Sequence, residues 1–461
     1  MDNTLFQQAR LSRDARFDGQ FFTAVKTTGI YCRSICPAPA PKECNVEYFP
    51  TSIAAAHHGY RPCLRCRPDS APDSFAWKGK NTTFERAITL INSGALKSHG
   101  ISQLAERLGI SSRYLNTLFQ ENLGTSVKSY VQHQQLMFAK TLLQQTSMRI
   151  TDIAFASGFN SLRRFNDCFQ TKLKLTPSSL RKSKLNSSNE ITLFLSYRPP
   201  YAWQQLRNFL QHRAISPIEW VDNNSYGRTF TWPSSQTNGD KQNIYGKFSA
   251  THDESKHGFM IKISINDLSY LMPVVRNIRR ILDLDAPIES INAKLMALSG
   301  FNQHMCSGLR LPGTWSLFEA GVRAVLGQQI SVSGALKLVS TVVENYGTQQ
   351  GELTLFPLPE NILNNDLSAL KMPKSRRETL LNLANFMFEN SQASPNEWLT
   401  LKGIGPWTID YAKMRGLSDP NIWLAGDLGI KKAVSSQARD LNPEDVTPWQ
   451  SYLTFQVWNL L

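Results

Sequence analysis

Two kinds of hydrophobic pattern alternate along the chain. In residues 76–182, which contain a single proline at Pro177, apolar positions recur every three or four residues. Ile101, Leu104, Ala105 and Leu108 share one face, Gly109 follows, and Leu115, Leu118 and Phe119 share the next face. This predicts a helix, a tight turn and a second helix, with Ser111 or Ser112 as its cap. The pattern returns at Ile150, Ile153 and Ala154, then Ser157-Gly158, then Leu162, Phe165 and Phe169. Beyond Ile191 the period changes to two. Phe259, Ile261, Ile263 and Ile265 alternate with Met260, Lys262 and Ser264, which predicts a strand with one buried face. Thr237-Asn238-Gly239-Asp240 reads as a turn in the same sheet. From about Leu271 the chain reads as helical to its end.

These shifts divide the 461 residues into segments 1–75, 76–185, 191–270 and 271–461, with a polar linker from Lys182 to Glu190. Hydrophobic residues are 41% of the chain, enough for several cores, which excludes a mostly disordered protein. No apolar run approaches the ~20 residues that span a bilayer, so no membrane association is expected. The N-terminus lacks a charged-then-apolar signal, and the seven cysteines are a sparse, odd set. Both point to the cytoplasm and away from a disulfide scaffold.

Charge singles out one segment. The net charge is +14, and residues 76–185 carry +11 of it, against +2 for 1–75 and +1 for 186–461. That focusing is the footprint of a domain that binds a polyanion.

Five of the seven cysteines lie in the first segment, as Cys32-x3-Cys36, Cys44 and Cys63-x2-Cys66. Two close pairs suit one Zn²⁺, which takes four soft ligands in a tetrahedron. Cys44 is left as a bystander, and His57 and His58 are rivals that a complete four-cysteine shell does not need. A segment this small would draw much of its folding free energy from the metal.

Thr27 to Cys36 (TTGIYCRSIC) and Gly59 to Asp69 (GYRPCLRCRPD) closely resemble the N-terminal zinc domain of the Ada family of alkylation-response proteins. The resemblance covers nearly all of residues 5–72. It implies that Cys32 accepts a methyl group from DNA methylphosphotriesters while bound to zinc. The chemistry is sound on its own terms. Zinc keeps a thiolate deprotonated at neutral pH, and four thiolates leave the centre at formal charge −2. Methylation would lower that to −1 and would be irreversible. Arg33, Arg61, Arg65 and Arg67 are candidate phosphate contacts.

The repeated helix-turn-helix pattern, with Phe169-x7-Pro177, resembles the DNA-binding domain of AraC-type regulators over about residues 84–181. The second helix of each pair would enter a major groove. Its candidate contacts are Ser112, Arg113 and Asn116 in the first unit and Ser161, Arg163 and Arg164 in the second. Arg and Asn can read guanine and adenine edges.

Leu401-Lys402-Gly403-Ile404-Gly405-Pro406-Trp407 reads as a hairpin between helices, and Gly403 and Gly405 allow backbone N–H groups to face a phosphate. Together with Trp423 to Lys432 (WLAGDLGIKK), Tyr197 to Trp203 (YRPPYAW), Leu309 to Gly313 (LRLPG) and Phe318 to Gln329 (FEAGVRAVLGQQ), it resembles the AlkA-type 3-methyladenine glycosylases of the helix-hairpin-helix superfamily. The resemblance runs from about residue 191 to 461. It implies that Asp427 is the catalytic carboxylate and that Trp407, Trp458 and Tyr411 wall the base pocket. A carboxylate stabilises the cationic sugar, and electron-rich rings favour electron-poor alkylated bases. Trp407 stands where strand-cleaving relatives carry a lysine, which implies base release without lyase chemistry. The four-cysteine iron–sulfur cluster of other relatives is not expected, since Cys306 is the one cysteine beyond the linker. Two positions depart from the family pattern: Gly426 replaces an Asp and Leu428 a Tyr.

The expectation is a multidomain α+β protein. A small four-cysteine zinc domain and an all-α double helix-turn-helix domain precede an antiparallel β-rich subdomain and an all-α helix-hairpin-helix glycosylase domain. It would excise alkylated purines, accept methyl groups at Cys32, and bind double-stranded DNA as a methylation-activated regulator, with RNA polymerase as a further partner. It would act in the bacterial cytoplasm, at the nucleoid. No Pro-Cys-His-Arg motif occurs, so no O6-methylguanine transferase part is expected. The rival expectation is a zinc-containing AraC-type regulator with a degenerate glycosylase domain.

Overall fold

The computed structural model describes residues 3–14, 17–18, 20–63, 65–66, 68, 82–96, 100–181, 190–232, 243–298, 305–390, 393–437 and 441–460. They form two compact units: Met1–Leu193 with Asp267–Arg276, and most of the remainder from Phe194 onward.

The first unit begins with α1 (Asn3–Leu11), followed by β1 (Phe22–Val25), β2 (Ile30–Arg33), β3 (Val46–Phe49), α2 (Ser52–His57) and β4 (Arg61–Pro62). The sheet order is β3-β1-β2-β4. β1 pairs antiparallel with both β2 and β3, and β2 pairs parallel with β4. Phe22, Ala24, Tyr31, Phe49, Ala54 and Ala55 make a core of only a few side chains. A core of this size is marginal by itself, which is where a bound metal matters.

Seven helices follow: α3 (Thr82–Asn92), α4 (Ile101–Arg107), α5 (Ser112–Leu123), α6 (Val127–Gln145), α7 (Ile150–Ala156), α8 (Leu162–Leu173) and α9 (Pro177–Leu180). The pairs α4–α5 and α7–α8 are the two helix-turn-helix units that the spacing predicts. Ser111, not Ser112, caps α5, accepting from the Tyr114 N–H at 3.2 Å, and Ser161 caps α8 in the same way through Arg164. Leu104, Ala105, Leu115, Leu118 and Phe119 are buried together. The zinc segment rests on these helices: Thr51 Oγ1 lies 3.4 Å from the Leu123 carbonyl, and β4 packs near α8.

The second unit has a five-stranded sheet in the order β5-β9-β8-β7-β6, from β5 (Ile191–Ser196), β6 (Glu219–Val221), β7 (Ser225–Trp232), β8 (Ile244–Asp253) and β9 (Gly258–Ile265). In β9, Phe259, Ile261 and Ile263 are buried, while Met260, Lys262 and Ser264 face out. β7 and β8 pair antiparallel from Trp232–Ile244 onward; the Thr237–Asp240 turn lies outside the described residues. The β-rich segment also holds a helix, α10 (Trp203–Gln211), whose buried Trp203, Leu206 and Leu210 follow a helical period within otherwise two-residue patterning.

Helices α11 (Leu271–Ile281), α12 (Ile288–Met296), α13 (Leu317–Gly327), α14 (Val332–Tyr346), α15 (Pro359–Leu363), α16 (Lys374–Glu389), α17 (Pro406–Gly416), α18 (Leu428–Gln437) and α19 (Gln450–Trp458) make up most of the rest. The expectation of helix to the end misses one hairpin, β10 (Thr348–Gln350) with β11 (Leu353–Leu355). Three-residue strands are too short to impose a readable period. No helix among the described residues is long and apolar enough to cross a membrane.

A buried ion network ties the sheet to α13. Arg228 meets Glu319 at 2.8 Å and Glu219 at 3.3 Å, and Arg323 meets Glu219 at 2.7 Å and Glu319 at 2.8 Å. Burial alone would raise the Glu319 pKa, but the two guanidiniums hold it down to about 2. The Arg323 side chain also donates to the Arg213 carbonyl at 3.1 Å, which fixes the chain just after α10.

Candidate functional sites

The four predicted thiols converge. Cys32 lies on β2, Cys36 in the turn after it, and Cys63 and Cys66 follow β4, which parallel pairing sets beside β2. Their sulfur atoms lie within 4.8 Å of one another, and Cys36 Sγ is 4.0 Å from Cys63 Sγ. A tetrahedral zinc with Zn–S bonds of about 2.3 Å needs sulfur separations of about 3.8 Å. The cluster is therefore close to the right size, and the donor set has the right softness. Crowding makes the thiols share protons. The Cys36 thiol falls to about 7, chiefly because the Cys32 thiol donates to it, and Cys32 is raised in turn, chiefly by that same contact.

Cys63 and Cys66 are buried, whereas Cys32 and Cys36 are half-buried and reachable. Cys44 is exposed and outside the cluster. His58 is turned away, with Nδ1 2.8 Å from the Ala54 carbonyl. Arg65 is exposed and Arg61 half-exposed, while Arg67 lies outside the described residues. Arg33, expected as a phosphate contact, has partners within the domain. Its guanidinium pairs with the buried Asp18 and also donates to the Cys66 carbonyl at 3.3 Å, while its backbone N–H points at Cys66 Sγ from 3.4 Å. It braces the thiolate cluster.

On α5, Arg113 is exposed, but Asn116 is engaged inside the domain. Its Nδ2 donates to the Ser112 carbonyl at 3.0 Å, and its Oδ1 accepts from the Val127 N–H at 3.2 Å, which ties α5 to the start of α6. Both ends of the amide expected to read a base edge are thus engaged within the domain. Tyr114, 51% exposed beside Arg113, occupies the open face instead. On α8, Arg163 and Arg164 are both exposed, and Arg163 approaches Asp167 at 4.0 Å.

The hairpin predicted at Leu401–Gly405 enters α17 at Pro406. Gly403 has φ +89°, and a Cβ there would collide with Thr379 Oγ1, so only glycine serves. Gln328 Nε2 braces the hairpin through the Gly403 carbonyl at 3.0 Å and Thr408 Oγ1 at 3.1 Å. Gly405 has no neighbour where a Cβ would stand, and its carbonyl accepts from the Thr408 and Ile409 N–H groups at the start of α17.

Trp407, Tyr411 and Arg415 follow at successive turns of α17, along one face. The rings of Trp407 and Tyr411 lie 5.5 Å apart, tilted by 31°. Asp427 sits at the start of α18, where its Oδ1 accepts from the Ile430 N–H at 3.0 Å and from Trp458 Nε1 at 3.2 Å. Those contacts aim the carboxylate, and among the described residues none donates to Oδ2. A Cβ at Gly426 would stand 3.5 Å from Trp407, so Asp427 lies one residue from the tryptophan wall. The four pocket residues named from the sequence are thus brought together. Leu428 is 68% exposed and stands clear of the core.

Two groups escaped sequence reading. Phe209 on α10 stacks near-parallel to Trp458, at 6.3 Å and 16°. The Arg213 guanidinium lies 3.9 Å over the Phe209 ring, and Arg415 approaches the same ring at 4.8 Å. Arg213 stands in the turn just after α10, where its side chain folds back over Phe209, but nothing in the sequence joins α10 to residues more than 190 positions later.

A thiolate cluster, two helix-turn-helix units and a hairpin glycosylase fold in one chain define a composite class. Residues 6–69 match the metal binding domain of Ada, residues 104–183 a helix-turn-helix domain, and residues 192–316 the AlkA N-terminal domain. The chain is 34% identical, over 98% of its length and 95% of the relative's, to the probable bifunctional transcriptional activator/DNA repair enzyme AlkA of Mycobacterium tuberculosis strain H37Rv. DNA-3-methyladenine glycosylase 2 of Escherichia coli K12 is 31% identical over 57% of this chain and 95% of its own. The bifunctional transcriptional activator/DNA repair enzyme AdaA of Bacillus subtilis 168 is 32% identical over 38% of this chain and 81% of its own. The chain belongs to the family of AlkA-type bifunctional transcriptional activator/DNA repair enzymes.

Proposed function

We propose that this protein repairs alkylated DNA by two separate chemistries and uses one of them to switch on DNA binding. The observation that carries the excision half is Asp427 held at a helix N-terminus beside Trp407, Tyr411 and Trp458. A flipped alkylated purine stacks between the electron-rich rings. The glycosidic C–N bond then breaks with its electron pair going to the base, and the carboxylate of Asp427 stabilises the sugar cation left behind. Water completes the hydrolysis. Trp407 offers no amine for a Schiff base, so the strand is left intact. The open hairpin at Gly403 and Gly405 gives backbone N–H groups for a DNA phosphate.

The other half uses the thiolates. One zinc ion held by Cys32, Cys36, Cys63 and Cys66 would keep the sulfurs deprotonated and nucleophilic. Cys32, half-buried on β2, attacks the methyl carbon of a methylphosphotriester. A sulfur–carbon bond forms, the carbon–oxygen bond breaks, and the phosphate keeps the electron pair as an ordinary diester. The reaction is stoichiometric, one methyl per chain. Arg65, Arg113, Arg163 and Arg164 present cations to DNA, and the exposed recognition faces of α5 and α8 carry the sequence preference. As an activator, the protein would have RNA polymerase as a partner.

Release of 3-methyladenine and 7-methylguanine from methylated DNA by the purified chain tests the enzyme reading directly. An intact chain that binds DNA and accepts methyl groups at Cys32, yet frees neither base, would establish the rival: a regulator with a degenerate glycosylase domain.

A further inference from the structure

The Arg213 guanidinium poses a problem that the proposed excision chemistry does not solve. It is half-buried, and among the described residues no carboxylate or carbonyl accepts from it; its contact is the Phe209 face at 3.9 Å. Arg415, over the same ring, is anchored: its Nε donates to the Pro312 carbonyl at 2.6 Å and its guanidinium reaches Tyr411 Oη at 3.4 Å. Phe209 in turn stacks on Trp458, which donates to Asp427. Arg213 therefore stands at the end of a line of rings that leads to the carboxylate. Burial lowers its pKa to about 10, Tyr411 and Asp427 pull the other way, and it stays protonated at neutral pH. A cation withdrawn from water without an acceptor is costly, unless a ligand supplies the acceptor.

We propose that Arg213 is a specificity-determining residue of the base pocket, which donates to the carbonyl oxygen of a neutral damaged base. This rests on the excision reading of the same pocket. The two classes of leaving group make opposite demands. A cationic alkylated purine departs as a neutral molecule and needs no help from a positive charge. A neutral base departs with the electron pair of the broken C–N bond and becomes an anion, which a nearby guanidinium stabilises. Water supplies the hydroxyl that ends on C1′, and its proton neutralises the released base. Arg213 keeps its own protons throughout. The same charge repels a cationic base, so the aromatic walls and Arg213 pull the substrate range in opposite directions.

The test is single-turnover excision by the full chain on two duplexes, one carrying 7-methylguanine and one carrying the neutral 6-oxopurine hypoxanthine. Arg213→Met keeps an apolar stem over Phe209 and removes the charge. It should lower hypoxanthine release by ~10²-fold, the typical loss for one donor to a developing anion, and leave 7-methylguanine release unchanged or faster. Arg213→Lys should recover part of the hypoxanthine rate. A variant that slows both substrates equally, as a merely structural role or a contact to a flanking phosphate would, overturns the proposal. So does a variant that slows neither. A wild-type chain inactive on both duplexes overturns the excision reading itself, and Arg213 falls with it.

Discussion

The thiolate site and the base pocket face the same kind of damage with opposite means. The first is a small sheet with a handful of core side chains, held around four sulfurs whose chemistry would consume one of them. The second sits in a unit with a large apolar core and a buried four-residue ion network, and the proposed excision would leave its carboxylate unconsumed. Rigidity comes from the metal in one case and from packing in the other. A nucleophile that is spent needs only one good geometry; a site that turns over must keep its geometry while substrates pass through.

Metal removal should break that comparison most sharply. Structural zinc contributes about 10–16 kcal/mol to small domains of this kind. Chelation is expected to abolish methyl acceptance and unfold residues 1–75, while excision by the second unit continues. Retained methyl acceptance in metal-free protein, read by mass of the Cys32 peptide, would contradict the assigned centre. Next in size, Asp427→Asn should cost ~10²–10³-fold in base release, with zinc content and methyl transfer unchanged. Near-normal release of 3-methyladenine would remove Asp427 from its role.

A smaller effect joins the two halves. Methylation of Cys32 takes the cluster from −2 to −1 beside a polyanion. At ~7 Å and an effective dielectric of ~20, that is worth roughly 2 kcal/mol before salt screening, or about 30-fold in specific DNA affinity. Binding to a cognate promoter, measured before and after methylation across a salt series, should show the gain shrinking as salt rises. Equal affinities would make the first site a repair device without a sensing role. Smallest of all, Asn116→Ala should lower the melting temperature through about 1 kcal/mol of lost hydrogen bonding and leave base preference alone. A changed operator preference with unchanged stability would restore Asn116 as a reader of bases.

Much of this molecule is legible from its sequence because its chemistry is local. Cys32-x3-Cys36 and Cys63-x2-Cys66 announce themselves by spacing, and both helix-turn-helix units by their three-to-four residue period. Asp427, Trp407 and Trp458 could be named by resemblance, and folding hydrogen-bonds Trp458 to Asp427 and sets Trp407 beside the neighbouring Gly426. The failures are non-local. Arg33 looked like a free cation, but Asp18, fifteen residues earlier, claims it. Asn116 looked exposed at its helical position, until the Val127 N–H needed an acceptor. Phe209 lies on a helix that the β-rich patterning hid, with Arg213 in the turn just after it, and they meet the pocket only once the unit is assembled.

The Arg323 side chain bears on how such an enzyme can change over generations. It shares with Arg228 the neutralisation of Glu219 and Glu319 and, with the same guanidinium, holds the backbone of Arg213. If Arg213 sets the lesion as proposed, thermal tolerance and choice of lesion share a hinge pin. Replacing Arg323 would shift both at once, so a lineage that broadened its diet there would become fragile on the same day. Replacing Arg213 touches neither carboxylate. On that proposal the inexpensive evolutionary route to a new lesion runs through the half-buried Arg213, and the fully buried ion network stays fixed.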